Sequence, residues 1–413
     1  MDLIALVESM GLDLGDPPHV EGDRCLNRRF QQRQCTLCQE ACPVKAINVT
    51  TGDPRRALPP AVTLDDALCL RCGLCVHLCP VEVFTHPGRE KTLQWWIQGV
   101  SQQSTTALEV ACPVLAGTPT RAPVTHRFQL GQCLAALSLG TLLDMVRPRE
   151  ADLWLNDTAC AECPLGAVHG SISRVVEQAN NLLTVWGHPA RVRLVSHDLP
   201  DPNDALHPVT EISARAAEMS RRELFQVVGE WLARAAAAVA EEALAAPPPD
   251  PATLPPEQRL GHHLSFERRH TTAALRRLGP PRTPIIDLTA LPWTVVHVDD
   301  RCSACGLCAR FCPTAAIRFH TWQKETGERR FMLTFKPTDC VDCGICVLAC
   351  PEEAITYESR MYTEWLISDE EALLYEGKLT PCEDCGQETA ERAHSLCYVC
   401  AAKRRWQADR PFP

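Results

Sequence analysis

The sequence predicts an α+β, multi-domain chain. Two short cysteine-rich modules flank a small α/β parallel-sheet domain, and a four-cysteine knuckle lies near the C-terminus. Three observations predict this. A Cys-Pro-x-x-Ala/Val-Ile/Phe segment recurs four times, beginning at Cys42, Cys79, Cys312 and Cys350, each behind closely spaced cysteines. The stretch between the two pairs of repeats alternates strand and helix patterns. Two Cys-x2-Cys pairs, Cys382/Cys385 and Cys397/Cys400, stand eleven residues apart. The expected division is 1–90, 91–200, 201–292, 293–360 and 361–413.

The first module spans roughly 20–90. Its second half is regular, Cys69-x2-Cys72-x2-Cys75-x3-Cys79-Pro80, whereas its first half reads Cys25-x9-Cys35-x2-Cys38-x3-Cys42-Pro43. The nine residues after Cys25 are long enough for its thiol to reach back to the others. Between the halves, Ala46 to Thr50 and Ala61 to Leu64 read as strands around Gly52-Asp53-Pro54.

In the middle segment, Thr106 to Ala111 reads as a strand ending at Cys112-Pro113. Gln132 to Val146 reads as a helix beginning beside Cys133. Asp152 to Leu155 is a strand ahead of Cys160-Ala161-Glu162-Cys163-Pro164. Ser171 to Trp186 is a helix capped by Gly187, and Arg191 to Val195 a further strand. Ligands of such sheets gather at strand carboxyl ends, which is where Cys112 and Cys160 fall. A helix start would favour the Cys133 thiolate. Cys112, Cys133, Cys160 and Cys163 are therefore candidate ligands of a fifth site. Four thiolates suit [2Fe–2S], [4Fe–4S] or zinc, and the flanking cysteine runs favour iron–sulfur. The alternative is a redox dithiol, Cys160/Cys163, with two buried cysteines beside it.

The connector carries a predicted helix from Glu211 to Ala246, striped by Leu224, Val228, Trp231, Leu232 and Ala235. Pro247-Pro248-Pro249 ends it, and an extended proline-rich stretch is expected to about 292. Ser220-Arg221-Arg222 lies mid-chain without a following apolar segment, so it reads as a basic helix patch and not as an export signal.

The second module holds Cys302-x2-Cys305-x2-Cys308-x3-Cys312-Pro313 and Cys340-x2-Cys343-x2-Cys346-x3-Cys350-Pro351. Ile317 to His320 and Phe331 to Phe335 predict a hairpin around Gly327. Its 27-residue gap between runs matches the 26 residues of the first module.

The chain has 413 residues, 24 cysteines and a net charge of −10. An acidic balance argues against nucleic-acid binding, which uses basic surface. Cysteines at ligand spacing, with no signal-like N-terminus, point to a reducing, cytoplasmic setting. No stretch reaches the roughly 20 apolar residues of a membrane span. Glycine fingerprints for nucleotides, nucleophile elbows and His-Glu-x-x-His are missing. Trp95-Trp96 and the scattered histidines read as packing residues.

The cysteine runs resemble those of bacterial two-cluster ferredoxins. In that family the first three cysteines of a run hold one [4Fe–4S] cluster and the fourth crosses to the other. The resemblance implies four sets: Cys302, Cys305, Cys308 with Cys350; Cys340, Cys343, Cys346 with Cys312; Cys25, Cys35, Cys38 with Cys79; Cys69, Cys72, Cys75 with Cys42. The middle segment loosely resembles the iron–sulfur delta subunit of methyl-viologen-reducing hydrogenases, through its Cys-Pro turn, α/β order, and a close cysteine pair before the helix holding Asn180-Asn181. The knuckle resembles a zinc ribbon, with Cys382, Cys385, Cys397 and Cys400 as ligands of one zinc or, alternatively, of a rubredoxin-like iron. His394 reads as a loop residue, and Lys403-Arg404-Arg405 as a docking patch.

These resemblances imply an electron-transfer protein relaying single electrons through at least four [4Fe–4S] clusters. It would be a subunit of a larger oxidoreductase, and its partners would be a flavoprotein, a hydrogenase or a molybdopterin enzyme such as formate dehydrogenase. Two other readings stay open. One is an oxidoreductase reducing a disulfide or sulfur compound at Cys112/Cys133/Cys160/Cys163. The other is a redox-sensing binding module.

Overall fold

The computed structural model describes residues 16–52, 58–102, 104–199, 205–213, 260–392 and 395–408. The expected helix beyond residue 213, the double-arginine segment, Asp53-Pro54 and His394 lie outside these residues. Helices and sheets are mixed throughout, and the small parallel-sheet domain is present. Among the described residues no helix is long and apolar enough to cross a membrane.

The middle sheet has five parallel strands, two more than the pattern predicts. In spatial order they are Val192–Leu194, Leu153–Asn156, Leu108–Ala111, His126–Gln129 and Thr210–Ser213. The strands Leu108–Ala111 and Leu153–Asn156 at the middle of the sheet are mostly apolar because both faces are covered, as is usual for parallel sheets. Leu108, Val110, Leu153 and Leu155 are fully buried. Helices Leu139–Val146 and His169–Val185 supply Leu143, Leu182 and Leu183 to the same core. Burying each such side chain contributes about 1.5–3 kcal/mol.

Several expectations need correction. Glu211 to Ser213 does not begin a helix; it ends the edge strand Thr210–Ser213, paired with His126–Gln129. His126–Gln129 escapes the pattern because Arg127 sits inside it. That arginine is buried because Glu109, its cross-strand partner, meets it 2.5 Å away. The expected helix 132–146 begins only at Leu139, where the Ser138 side chain caps it by accepting from Thr141 N–H. A short 3₁₀ turn, Leu134–Ala136, precedes it. Trp96 is buried as expected, but Trp95 is exposed.

The proline-rich stretch also differs. Phe266–Arg277 forms a helix capped by Ser265, with Ala274 and Leu275 buried in the middle domain's core. Its His270 and Arg277 meet Asp144 of helix Leu139–Val146 at 3.0 and 2.6 Å. Helix-forming residues between prolines were sufficient, because tertiary packing adds most of a short helix's stability.

Both modules contain the expected hairpins. Ile47–Thr50 pairs with Ala61–Leu64, and Ile317–Gln323 with Arg329–Phe335 across Gly327. In the second module the hairpin is extended. Ala372–Pro381 pairs with Arg329–Phe335, and Glu388–Ala390 follows it.

Candidate metal centres

The four cysteine runs share one backbone plan. All eight described non-glycine residues with positive φ lie at two equivalent positions of the repeat. Gln34, Arg71, Ala304 and Asp342 each immediately precede a cysteine: Cys35, Cys72, Cys305 and Cys343. Lys45, Glu82, Ala315 and Glu353 each stand two residues after the proline of a Cys-Pro. Left-handed conformations cost roughly 1–2 kcal/mol for ordinary residues. Eight of them, in register, mark a loop shape that something other than local preference maintains.

That shape aims backbone N–H groups at sulfur. The N–H of the residue two positions on points to the thiols of Cys69, Cys302 and Cys340, and Asn27 N–H does the same for Cys25. Cys42, Cys79 and Cys350 accept from Ala46, Val83 and Ala354 N–H at 3.3, 3.4 and 3.3 Å. Such donors offset negative charge on ligating sulfur.

Burial raises these thiols. Desolvation pushes Cys72, Cys79 and Cys302 up to about 11 and Cys343 up to about 12, and neighbouring cysteines add to the rise. Buried, mutually repelling thiols with N–H groups aimed at their sulfurs fit a multi-metal centre, whose positive charge would hold them as thiolates. Cys38 shares its surroundings with Cys79, Cys35 and Cys25, and Cys72 with Cys42 and Cys69. Cys302 neighbours Cys305 and Cys350, and Cys340 neighbours Cys312, Cys343 and Cys346. The groupings proposed from the resemblance are thus spatial neighbours. A cluster held by each set would supply one-electron exchange.

The sets also adjoin one another. Within the first module Cys38 acts on Cys75; within the second, Cys346 acts on Cys308. Between modules, Arg33 Nε donates to the Cys343 carbonyl at 2.5 Å, and the Phe30 and Phe311 rings lie 5.1 Å apart. Toward the middle domain, His77 Nε2 is 2.7 Å from the Ala135 carbonyl. Cys72 is close enough to act on Cys133.

In the middle domain, Cys112 directly follows strand Leu108–Ala111, and Cys160 follows Leu153–Asn156 on a 3₁₀ turn. Cys133 caps the 3₁₀ turn, not a helix; no helix start lowers its thiol, which burial instead raises well above the usual range. The structure brings Cys133, Cys112 and Cys160 together, with Cys163 beside Cys112 and Cys160. Cys112 and Cys133 also have the N–H two residues on aimed at sulfur, as in the runs.

Polar residues that the sequence reading passed over hold the loops of this site. Arg127 Nη1 donates to the carbonyls of Leu115 and Thr118 at 2.7 and 2.8 Å, beyond Cys112. Buried Asp157 accepts from Ser196 N–H at 2.9 Å and lies 2.7 Å from His169 Nε2. Gly166 closes the Cys160–Cys163 turn; a side chain there would come within 2.5 Å of the Cys160 carbonyl. Asn180 is structural: its amide exchanges two hydrogen bonds with the Val192 backbone at 2.8 and 2.9 Å.

At the knuckle, the Cys382, Cys385, Cys397 and Cys400 sulfurs all lie within 4.8 Å of one another, a spacing for a single ion. The Cys397 N–H, 3.3 Å from the Cys382 sulfur, draws that thiol down to about 6. The knuckle is anchored to the second module. Ala390 N–H and the Thr389 hydroxyl donate to the Ser303 carbonyl at 3.2 and 3.1 Å, beside Cys302. Arg404 pairs with Asp384 of the knuckle, and Arg405 reaches Glu352 of the second module at 3.8 Å.

Comparison with known families agrees with this geometry. Residues 33–83 and 301–354 match the 4Fe-4S dicluster domain. The two matches cover about a quarter of the chain, and the first begins after Cys25. No curated protein matches the chain. Two dicluster domains imply about four [4Fe–4S] clusters and point to an iron–sulfur electron-transfer protein.

Proposed function

We propose that the chain is a non-catalytic electron-transfer subunit of a larger oxidoreductase. It would pass single electrons between redox partners such as a flavoprotein, a hydrogenase or a molybdopterin enzyme. The carrying observation is adjacency. The dicluster sets neighbour one another within each module, the modules touch beside Cys343, and Cys72 of the first module neighbours Cys133 of the middle site. Cysteine sets placed side by side suit a relay of single electrons, which hydrolysis and group transfer do not require.

The residues proposed to hold the clusters are the four sets named above. Cys25, outside the matched region, is assigned to one of them because the Asn27 N–H draws its thiol down as the corresponding N–H groups do for Cys69, Cys302 and Cys340. Cys112, Cys133, Cys160 and Cys163 are proposed to hold a fifth iron–sulfur cluster, which would extend the row toward a partner at the half-exposed Cys160/Cys163 loop. Cys382, Cys385, Cys397 and Cys400 are proposed to hold zinc, a structural ion that fastens the C-terminal segment to the second module.

Electron counting tests the reading. Anaerobically purified full-length protein, reduced with dithionite and desalted, should deliver at least about four electrons per chain to an excess of oxidised one-electron acceptor. Delivery of none would overturn it.

A further inference from the structure

The Cys25-x9-Cys35 spacing departs from the two-residue spacing of the other three runs, and its nine residues do more than bridge a gap. They form two short helical turns, Leu26–Arg29 and Gln31–Arg33. Asn27 ties the loop to Cys35: its amide donates to the Cys35 carbonyl at 2.8 Å and accepts from Cys35 N–H at 2.6 Å. The outward residues meet the second module. Phe30 meets Phe311 edge to face, next to Cys312. Val341, Ile345 and Ala349 of the second module are buried in one apolar cluster with Leu26, Val76 and Val81 of the first. Arg33 donates to the Cys343 carbonyl, and Arg29 lies within electrostatic reach of Cys312 and Cys343.

We propose that this loop is an internal docking element. It sets Cys25/Cys35/Cys38/Cys79 against Cys340/Cys343/Cys346/Cys312, with Arg29 and Arg33 as positioning cations at the crossing. Two separate pairs of centres thereby become one row of four. The proposal rests on the ligand sets proposed above. An electron crossing here would leave a reduced centre in one module and enter an oxidised one in the other, with no bond made or broken. A cation beside the receiving thiolates favours the more negative, reduced state and so raises that centre's potential. Arg268, also within reach of Cys340, acts in the same sense; Asp339 and Asp342 oppose it.

The test uses the full chain, purified without oxygen, in wild-type form and as Arg33→Gln, Arg33→Lys, Arg29→Gln and Arg29→Lys, with Arg329→Gln on the distant hairpin as control. Iron is counted first. Wild-type iron near 12, not about 16 from the dicluster modules, would remove the Cys25 set and thereby the reading beneath the proposal. With iron intact, mediated redox titration followed by electron paramagnetic resonance should show one midpoint moved to more negative potential in each Gln variant. Each Lys variant should return it most of the way, and the control should match wild type. Midpoints identical in all variants, or moved equally by Gln and Lys, would overturn the role given to the arginines. A purely structural effect would not follow side-chain charge.

Discussion

The first cysteine motif and its three counterparts share one backbone plan, and they differ in the loop before the second cysteine and in the residue after it. In each, a left-handed residue precedes the second cysteine: Gln34, Arg71, Ala304 and Asp342. In each, a short helix follows that cysteine: Leu37–Ala41, Leu74–Leu78, Leu307–Phe311 and Ile345–Leu348. Three of these helices start from a glycine at φ +69° to +80°, whereas the first starts from Thr36 at φ −120°. Two residues separate the first cysteine from the second in three of the motifs, and nine separate Cys25 from Cys35. The thiol surroundings are conserved by conformation, not by residue identity. The freedom left over at the first motif is used for contact with the second module.

The largest effect is expected from losing a cysteine of a regular run. Cys343→Ala should lower iron by about four atoms per chain and remove one reduced-state resonance. Cys343 also packs where the modules meet, so a faster proteolytic cleavage of the native chain should accompany the loss.

Cys25→Ala sharpens the comparison. If the displaced cysteine is equivalent to Cys69, Cys302 and Cys340, iron should again fall, to about 12 from the dicluster modules. Iron unchanged at about 16 would show that the loop docks without coordinating.

The knuckle stands outside the repeat, and the zinc proposed for it should be separable from the iron. A zinc chelator should strip about one zinc per chain and expose four thiols to alkylation, with Cys385, the exposed one, reacting first. Iron content should stay the same. Loss of iron in step with zinc would tie the knuckle to the adjoining Cys302 set more tightly than its contacts at Ser303 imply.

The smallest effect concerns the glycines. Gly344→Ala places a side chain at φ +77° and should cost about 1 kcal/mol, read as a lower denaturation midpoint. Thr36→Gly, at a position with negative φ, should give no comparable gain and lose a few tenths of a kcal/mol to chain entropy.

Much of this was legible in the sequence because ligand spacing leaves a regular trace. The four Cys-Pro repeats located both modules, and their hairpins followed from alternation around Gly327 and between residues 46 and 64. Strands Leu108–Ala111, Leu153–Asn156 and Val192–Leu194 were legible because most of their residues are apolar, despite Glu109 and Arg193. The strand His126–Gln129 did not, because its buried arginine looks like surface until Glu109 is seen opposite it. Helix Phe266–Arg277 was hidden by flanking prolines and by charged residues whose partners lie far away in the chain: Glu267 pairs with Arg89, and Arg277 with Asp144. The long strand Ala372–Pro381 is amphipathic only in relation to the hairpin that it joins. Arg29 and Arg33 were visible as charges in a loop, but their proximity to Cys312 and Cys343 depends on a contact between residues some three hundred positions apart. Spacing points to candidate ligands; it carries no information about which neighbouring module a loop meets.

All of the behaviour proposed here depends on repeated cysteine sets holding iron–sulfur clusters in one connected protein. Iron, acid-labile sulfide and zinc analysis of the oxygen-free full-length chain tests it most directly. Brown protein is expected, with about 16 iron and 16 sulfide from the dicluster modules, more from the middle site, and about one zinc. Colourless, iron-poor protein that takes up no iron on anaerobic reconstitution would contradict it.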